Sequence, residues 1–98
     1  MNLESTTTRV KEKATSIGAF GATVKFTMDG EVIYVDGTGD ANVVSNEKKA
    51  ADCEIDVSLE DFNSMLDGDL NPMMAFMNKQ MSIDGDMTIA MKLTELFA

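Results

Sequence analysis

Hydrophobic and polar positions divide this chain into two halves with different periods. Leu3, Val10, Ala14 and Ile17 fall near one side of a helical wheel with charged residues between them, which predicts an amphipathic helix ending at Gly18. Three consecutive threonines, Thr6 to Thr8, weaken its first half, because β-branched side chains lose freedom in a helix. From Ala22 the period becomes two. Ala22, Val24, Phe26 and Met28 alternate with Thr23, Lys25, Thr27 and Asp29, the mark of a strand with one wet face. Asp29-Gly30 reads as a tight hairpin turn into a returning strand from Val32 to Val35. Asp36 to Asp40 is another turn, Ala41 to Ser45 a short third strand, and Asn46 to Ala50 a polar loop. Asp52 to Ser58 alternates again, turning Cys53, Ile55 and Val57 one way and Asp52, Glu54 and Asp56 the other. Four such strands in succession predict a largely antiparallel sheet.

The second half is helical. Ser58 with Asp61 three residues later is a capping-box-like start, after which Leu59, Phe62, Met65 and Leu66 share a face until Gly68. Asn71 followed by Pro72 places an N-cap before a proline at the first helical position, and that helix carries Met73, Met74, Phe76 and Met77. Met81 and Ile83 alternate with Ser82 and Asp84 in a brief last strand, and Asp84-Gly85-Asp86 leads into a closing helix through Leu96. Because each strand shows one polar face, helices are expected on the other face only. The fold class is therefore α+β, a two-layer sandwich.

Ninety-eight residues make room for one core, so residues 1–98 are read as a single domain. There are 8 basic and 17 acidic residues, for a net charge of −9, and no histidine or tryptophan. The missing histidine removes Ser-His-Asp and Cys-His nucleophile pairs and the commonest metal ligand. One cysteine, Cys53, closes no disulfide within the chain. No apolar run approaches the roughly 18 residues that span a bilayer, and charged residues stand where a signal peptide would be apolar, so a soluble, cytoplasmic protein is expected. The negative charge repels phosphate backbones and anionic bilayers. Nucleic acid is excluded as a partner and membrane contact is expected to be transient.

Candidate chemistry is sparse. Asp36, Thr38, Asp40 and Glu47 occupy positions 1, 3, 5 and 12 of a calcium loop, but Ala41 replaces the glycine needed at position 6 and strands flank the segment. Asp67 with Asp69 and Asp84 with Asp86 bracket glycines at helix boundaries, where they read as caps and not as an acid-base pair. Cys53 sits on the apolar side of its strand as a small hydrophobe. No catalytic residue, metal site or cofactor site emerges. The methionines do stand out: seven of nine fall between Met65 and Met91. A core selected for one rigid state favours residues with better-defined rotamers, whereas deformable thioethers suit a wall that repacks around apolar ligands of varied shape.

The run Ala51-Asp52-Cys53-Glu54-Ile55-Asp56-Val57-Ser58-Leu59-Glu60-Asp61-Phe62 resembles the sterol carrier protein type 2 family. So do Gly68-Asp69-Leu70-Asn71-Pro72-Met73, Ala75-Phe76-Met77 and Gly85-Asp86-Met87 with Ala90-Met91-Lys92-Leu93, all in order between about Gly21 and Phe97. The resemblance implies a five-stranded mixed sheet with a parallel last strand, covered on one face by helices and enclosing an apolar tunnel. The tunnel would hold a sterol, fatty acid, fatty acyl ester or phospholipid, with no catalysis. Its wall would include Phe26, Ile33, Val35, Ile55 and Val57 from the sheet. The helical side would add Phe62, Leu66, Met73, Phe76, Met77, Met81, Met87, Ala90 and Leu93. Asp69, Lys79-Gln80, Ser82 and Asp84 stand where the family often carries glycine-lysine or lysine, which argues against coenzyme A phosphates and anionic membranes. The chain ends Leu96-Phe97-Ala98, without a peroxisomal tripeptide, so a free-standing bacterial form, a monomer or weak dimer, is expected. The alternative is an accessory domain that uses the same groove on a partner protein of lipid metabolism.

Overall fold

A computed structural model of the chain describes residues 2–97, with 94 and 95 described by backbone alone. Among these residues the order is α1 (Leu3–Thr15), β1 (Thr23–Met28), β2 (Glu31–Asp36), β3 (Val43–Ser45), β4 (Cys53–Val57), α2 (Leu59–Leu66), α3 (Pro72–Met77), β5 (Met81–Gly85) and α4 (Met87–Lys92). A tighter 3-10 turn, Leu93–Phe97, follows. Met1 and Ala98 of the expected 1–98 span lie outside the described residues.

Reciprocal capping starts α1: the Ser5 amide donates to Asn2 Oδ1 at 2.8 Å and the Asn2 amide to Ser5 Oγ at 3.2 Å. The threonine run is accommodated because Thr7 and Thr8 donate to the carbonyls of Leu3 and Glu4 one turn back. The helix stops at Thr15, short of the predicted Gly18. There Thr15 and Ser16 hydroxyls bond the carbonyls of Glu12 and Lys13 and satisfy the last turn locally.

The five strands form one sheet in the order β3-β2-β1-β4-β5. Asp29 (φ 52°) and Gly30 (φ 86°) make the predicted hairpin turn between β1 and β2. The expected direction of the last strand is corrected: β5 runs antiparallel to β4, and the parallel pair is β1 with β4 at the centre. The cause is the return path. β3 runs in the direction of β1, and residues 46–52 carry the chain back before β4 starts in the same direction. On this segment the Tyr34 hydroxyl donates to the Ala50 carbonyl at 3.3 Å, and the Lys49 ammonium lies 5.2 Å from the Tyr34 ring centre.

Register aligns one apolar row across the sheet, Ile33, Phe26, Ile55 and Ile83. The helices pack on this face. Phe62 of α2 lies 5.0 Å from Phe26 and 5.5 Å from Phe97, centre to centre. Val10, Ala14, Met65, Leu93 and Leu96 complete the buried interior. The other face is more polar, with Lys25 and Glu54 paired at 3.1 Å, though Val32 and Tyr34 of β2 are buried on it. A buried amide ties α1 to α2: Asn63 donates to Thr6 Oγ1 and to the Leu59 carbonyl, both at 2.9 Å, and accepts from Arg9. Arg9 also pairs with Asp67.

The closing helix is shorter than predicted. Asp86 caps α4 by accepting the Thr88 amide at 2.8 Å, but α-geometry ends at Lys92. The 3-10 turn then rotates Leu93 and Leu96 into the core.

Candidate functional site

Helical cover runs out over β5, the edge strand. Two six-residue helices stand there. Asn71 starts α3 by accepting the amides of Met73 and Met74, and Lys79 in left-handed geometry (φ 63°) ends the turn that follows it. Helical spacing then sets Met73 with Phe76 on α3, and Met87 with Ala90 and Met91 on α4. Strand spacing sets Met81 with Ile83 on β5.

These seven residues and Pro72 line a half-open groove of about 200 Å³ between α3, β5 and α4. Every lining side chain is apolar. Its lips are exposed methionines: Met73 is 58%, Met87 48% and Met91 68% accessible, whereas Met28 and Met65 in the core are 1% and 0%. A long, unbranched thioether on a lip can swing without disturbing the packed interior.

The structure brings together Met73, Phe76, Met81, Met87 and Ala90 of the residues expected at the site. Phe26, Ile33, Val35, Ile55, Val57, Phe62, Leu66 and Leu93 are instead consumed by the interior between sheet and helices, each 5% exposed or less. Met77 is 69% exposed on α3 and lies outside the lining. Phe26, Phe62 and Met65 are buried in the interior with Phe97 against Phe62, and an apolar groove opens at the sheet edge. Pro72, Ile83 and Met91 are lining residues that sequence reasoning missed. Ile83 was legible as the partner of Met81 on one strand face, and Met91 as one turn beyond Met87.

Charge stays outside the groove. Lys92 Nζ lies 3.5 Å from the Phe20 carbonyl, and Lys79 is exposed beyond the end of α3. Cys53 is fully buried. Its burial, then the charges of Asp86, Asp84 and Glu54, push the thiol above its ordinary value of 9.0, the reverse of an activated nucleophile. Among the described residues, no group of three or more histidine, cysteine, aspartate or glutamate side chains is placed to hold a metal ion. No helix among them is long and apolar enough to cross a membrane.

Comparison with known proteins meets this geometry. The profile of the SCP-2 sterol transfer family matches residues 3–98. Hydroxysteroid dehydrogenase-like protein 2 of Danio rerio is 38% identical over 79 residues, 76% of this chain and 19% of that protein. Sterol carrier protein 2 of Homo sapiens is 40% identical over 58 residues, 59% of this chain and 11% of that protein. The chain thus matches about a fifth and a tenth of the lengths of these two relatives. The solution structure of palmitated SCP2L2 from Aedes aegypti has the same fold, with a TM-score of 0.72 at 20% identity, covering 99% of this chain and 95% of that one. The chain belongs to the SCP-2 sterol transfer family.

Proposed function

We propose that this chain is a non-enzymatic carrier that holds the apolar part of a single-chain lipid, a fatty acid or a sterol-like molecule, in the groove between α3, β5 and α4. The observation that carries the reading is a groove lined by apolar side chains alone, with three exposed methionines on its lips. The groove desolvates an alkyl chain and offers no acid, base or nucleophile to react with it. If a methylene takes roughly the 30 Å³ that a water occupies in the liquid, about 200 Å³ holds six or so. At about 0.8 kcal/mol each, burial contributes roughly 5 kcal/mol, an affinity between millimolar and micromolar. Lip methionines that fold over the chain add buried area and tighten it further. The palmitated state of the Aedes aegypti relative supports an acyl chain as occupant. Residues 1–98 would act as one lipid-binding unit, whatever longer proteins the relatives are.

Native mass spectrometry of protein purified without detergent, paired with displacement of a fluorescent fatty acid, tests the reading. One lipid per chain and saturable displacement are expected. No bound lipid and no saturable signal would overturn it.

A further inference from the structure

Sulfur is divided between sealed and open positions. Cys53, Met28 and Met65 are buried and Met81 is 7% exposed, whereas Met73, Met87 and Met91 stand open on the groove lips. Met74 and Met77, 52% and 69% exposed on the outer side of α3, line no part of the groove. A thioether that solvent reaches is open to two-electron oxidants, and the product, methionine sulfoxide, puts a polar group where a flexible apolar one stood. The cysteine thiol is shielded, so it does not compete for the oxidant.

We infer that Met73, Met87 and Met91 form an oxidation site, at which peroxides convert the apolar lips to sulfoxides and weaken the groove's hold on an alkyl chain. The loss of affinity rests on the carrier reading; the chemistry does not. One oxygen passes from hydrogen peroxide to sulfur: the O–O bond breaks, an S–O bond forms, sulfur gives up two electrons, and the peroxide is reduced to water. No lining side chain carries a hydrogen-bond donor, since the wall is proline, phenylalanine, isoleucine, alanine and methionine. A sulfoxide oxygen turned inward is therefore buried against the ligand without a partner, which costs the desolvation of a polar group. Turned outward, it draws its side chain off the ligand and opens the lip to water. Both positions weaken binding. The frame is spared, because Met28 and Met65 are sealed in the core while the mouth of the groove changes polarity. The change is reversible: sulfoxide reductases remove the oxygen as water while two thiols join in a disulfide. Occupancy acts in return. A bound chain covers the lips but leaves Met74 and Met77 open, so a loaded groove is oxidised more slowly than the outer side of the same helix.

The full chain is treated with hydrogen peroxide, its sulfoxides are located by tandem mass spectrometry, and displacement of a fluorescent fatty acid is measured before and after. Sulfoxide is expected at Met73, Met87 and Met91 with Met28 and Met65 unmodified. The dissociation constant should rise about tenfold, and sulfoxide reductases with dithiothreitol should restore it. Met74→Leu/Met77→Leu, outside the groove, should show the same rise. Met73→Leu/Met87→Leu/Met91→Leu, referred to its own untreated affinity, should change less than about twofold, because leucine has no sulfur to oxidise. Saturating fatty acid should slow oxidation of Met73 and Met87 and leave the rates at Met74 and Met77 unchanged. Sulfoxide on all three lips with affinity within about twofold of the untreated chain would overturn the inference. So would an equal loss in the triple leucine variant, or modification of Met28 and Met65 as fast as the lips. If the untreated chain binds no fatty acid, the carrier reading falls instead, and the order of oxidation read from the masses decides the site on its own.

Discussion

Ala90→Phe tests the groove as the ligand site. Ala90 is half-buried on α4, three residues after Met87, and its methyl forms part of the lining. A phenyl ring, which an apolar cavity of about 150 Å³ accommodates, would occupy most of the 200 Å³ available. About four of six methylenes would be displaced, which at roughly 0.8 kcal/mol each removes about 3 kcal/mol of binding. Dissociation constants should rise about a hundredfold, since roughly 1.4 kcal/mol is one decade. The ring enters open space, so the fold should be preserved and thermal unfolding should shift little. Titration of a fluorescent fatty acid gives the affinity, and circular dichroism melting confirms the fold. An affinity within about threefold of the parent, with an unchanged melt, would refute the argument, because a real occupant of this groove cannot ignore the loss of most of its volume.

Three further predictions concern the frame around the site. Gly85 has φ +114°, and a Cβ there would lie 2.3 Å from the Asp52 carbonyl oxygen, so Gly85→Ala should cost about 2 kcal/mol or more and lower Tm by roughly 8 °C or more. An unchanged Tm would contradict it. Asn63→Ala leaves the Thr6 hydroxyl without its donor and Arg9 without one acceptor, and should cost about 1–3 kcal/mol in urea unfolding. A double-mutant cycle with Thr6→Val should show positive coupling, and strict additivity would dismiss the network. Cys53 should react slowly with a disulfide reagent at pH 8 in the native protein and quickly in urea, because burial keeps its thiol protonated. The folded state then holds a proton that the unfolded chain has lost, so stability should fall as pH rises past 9.0. Rapid native-state labelling would contradict this.

Period two and period 3.6 were enough to reveal the layers, because Val24, Phe26 and Met28 had to face helices while Thr23, Lys25 and Thr27 faced water. Pairing was not legible. Alternation fixes which way a side chain points but not which strand lies alongside, and the parallel β1/β4 contact depends on the path of residues 46–52. The breadth of the interior was also hidden. Ile55 and Ile83 lie in one apolar row and look equivalent in sequence, yet helices cover Ile55 while Ile83, on the edge strand, opens onto the groove. Phe62 and Leu93, also expected in the wall, are members of the buried core, where Phe62 packs against Phe26. Methionine crowding was the better guide to the site: four of the eight lining residues are methionines.

Methyl-labelled methionine offers the most direct measurement, since the thioethers report from the groove, the core and the outer side of α3 at once. In a titration with a saturated fatty acid, the methyl signals of Met73, Met81, Met87 and Met91 should shift together and saturate. Those of Met28 and Met65, sealed in the interior, should stay in place. Saturable shifts at Met28 and Met65 with none at the four groove methionines would contradict the account and place the ligand elsewhere.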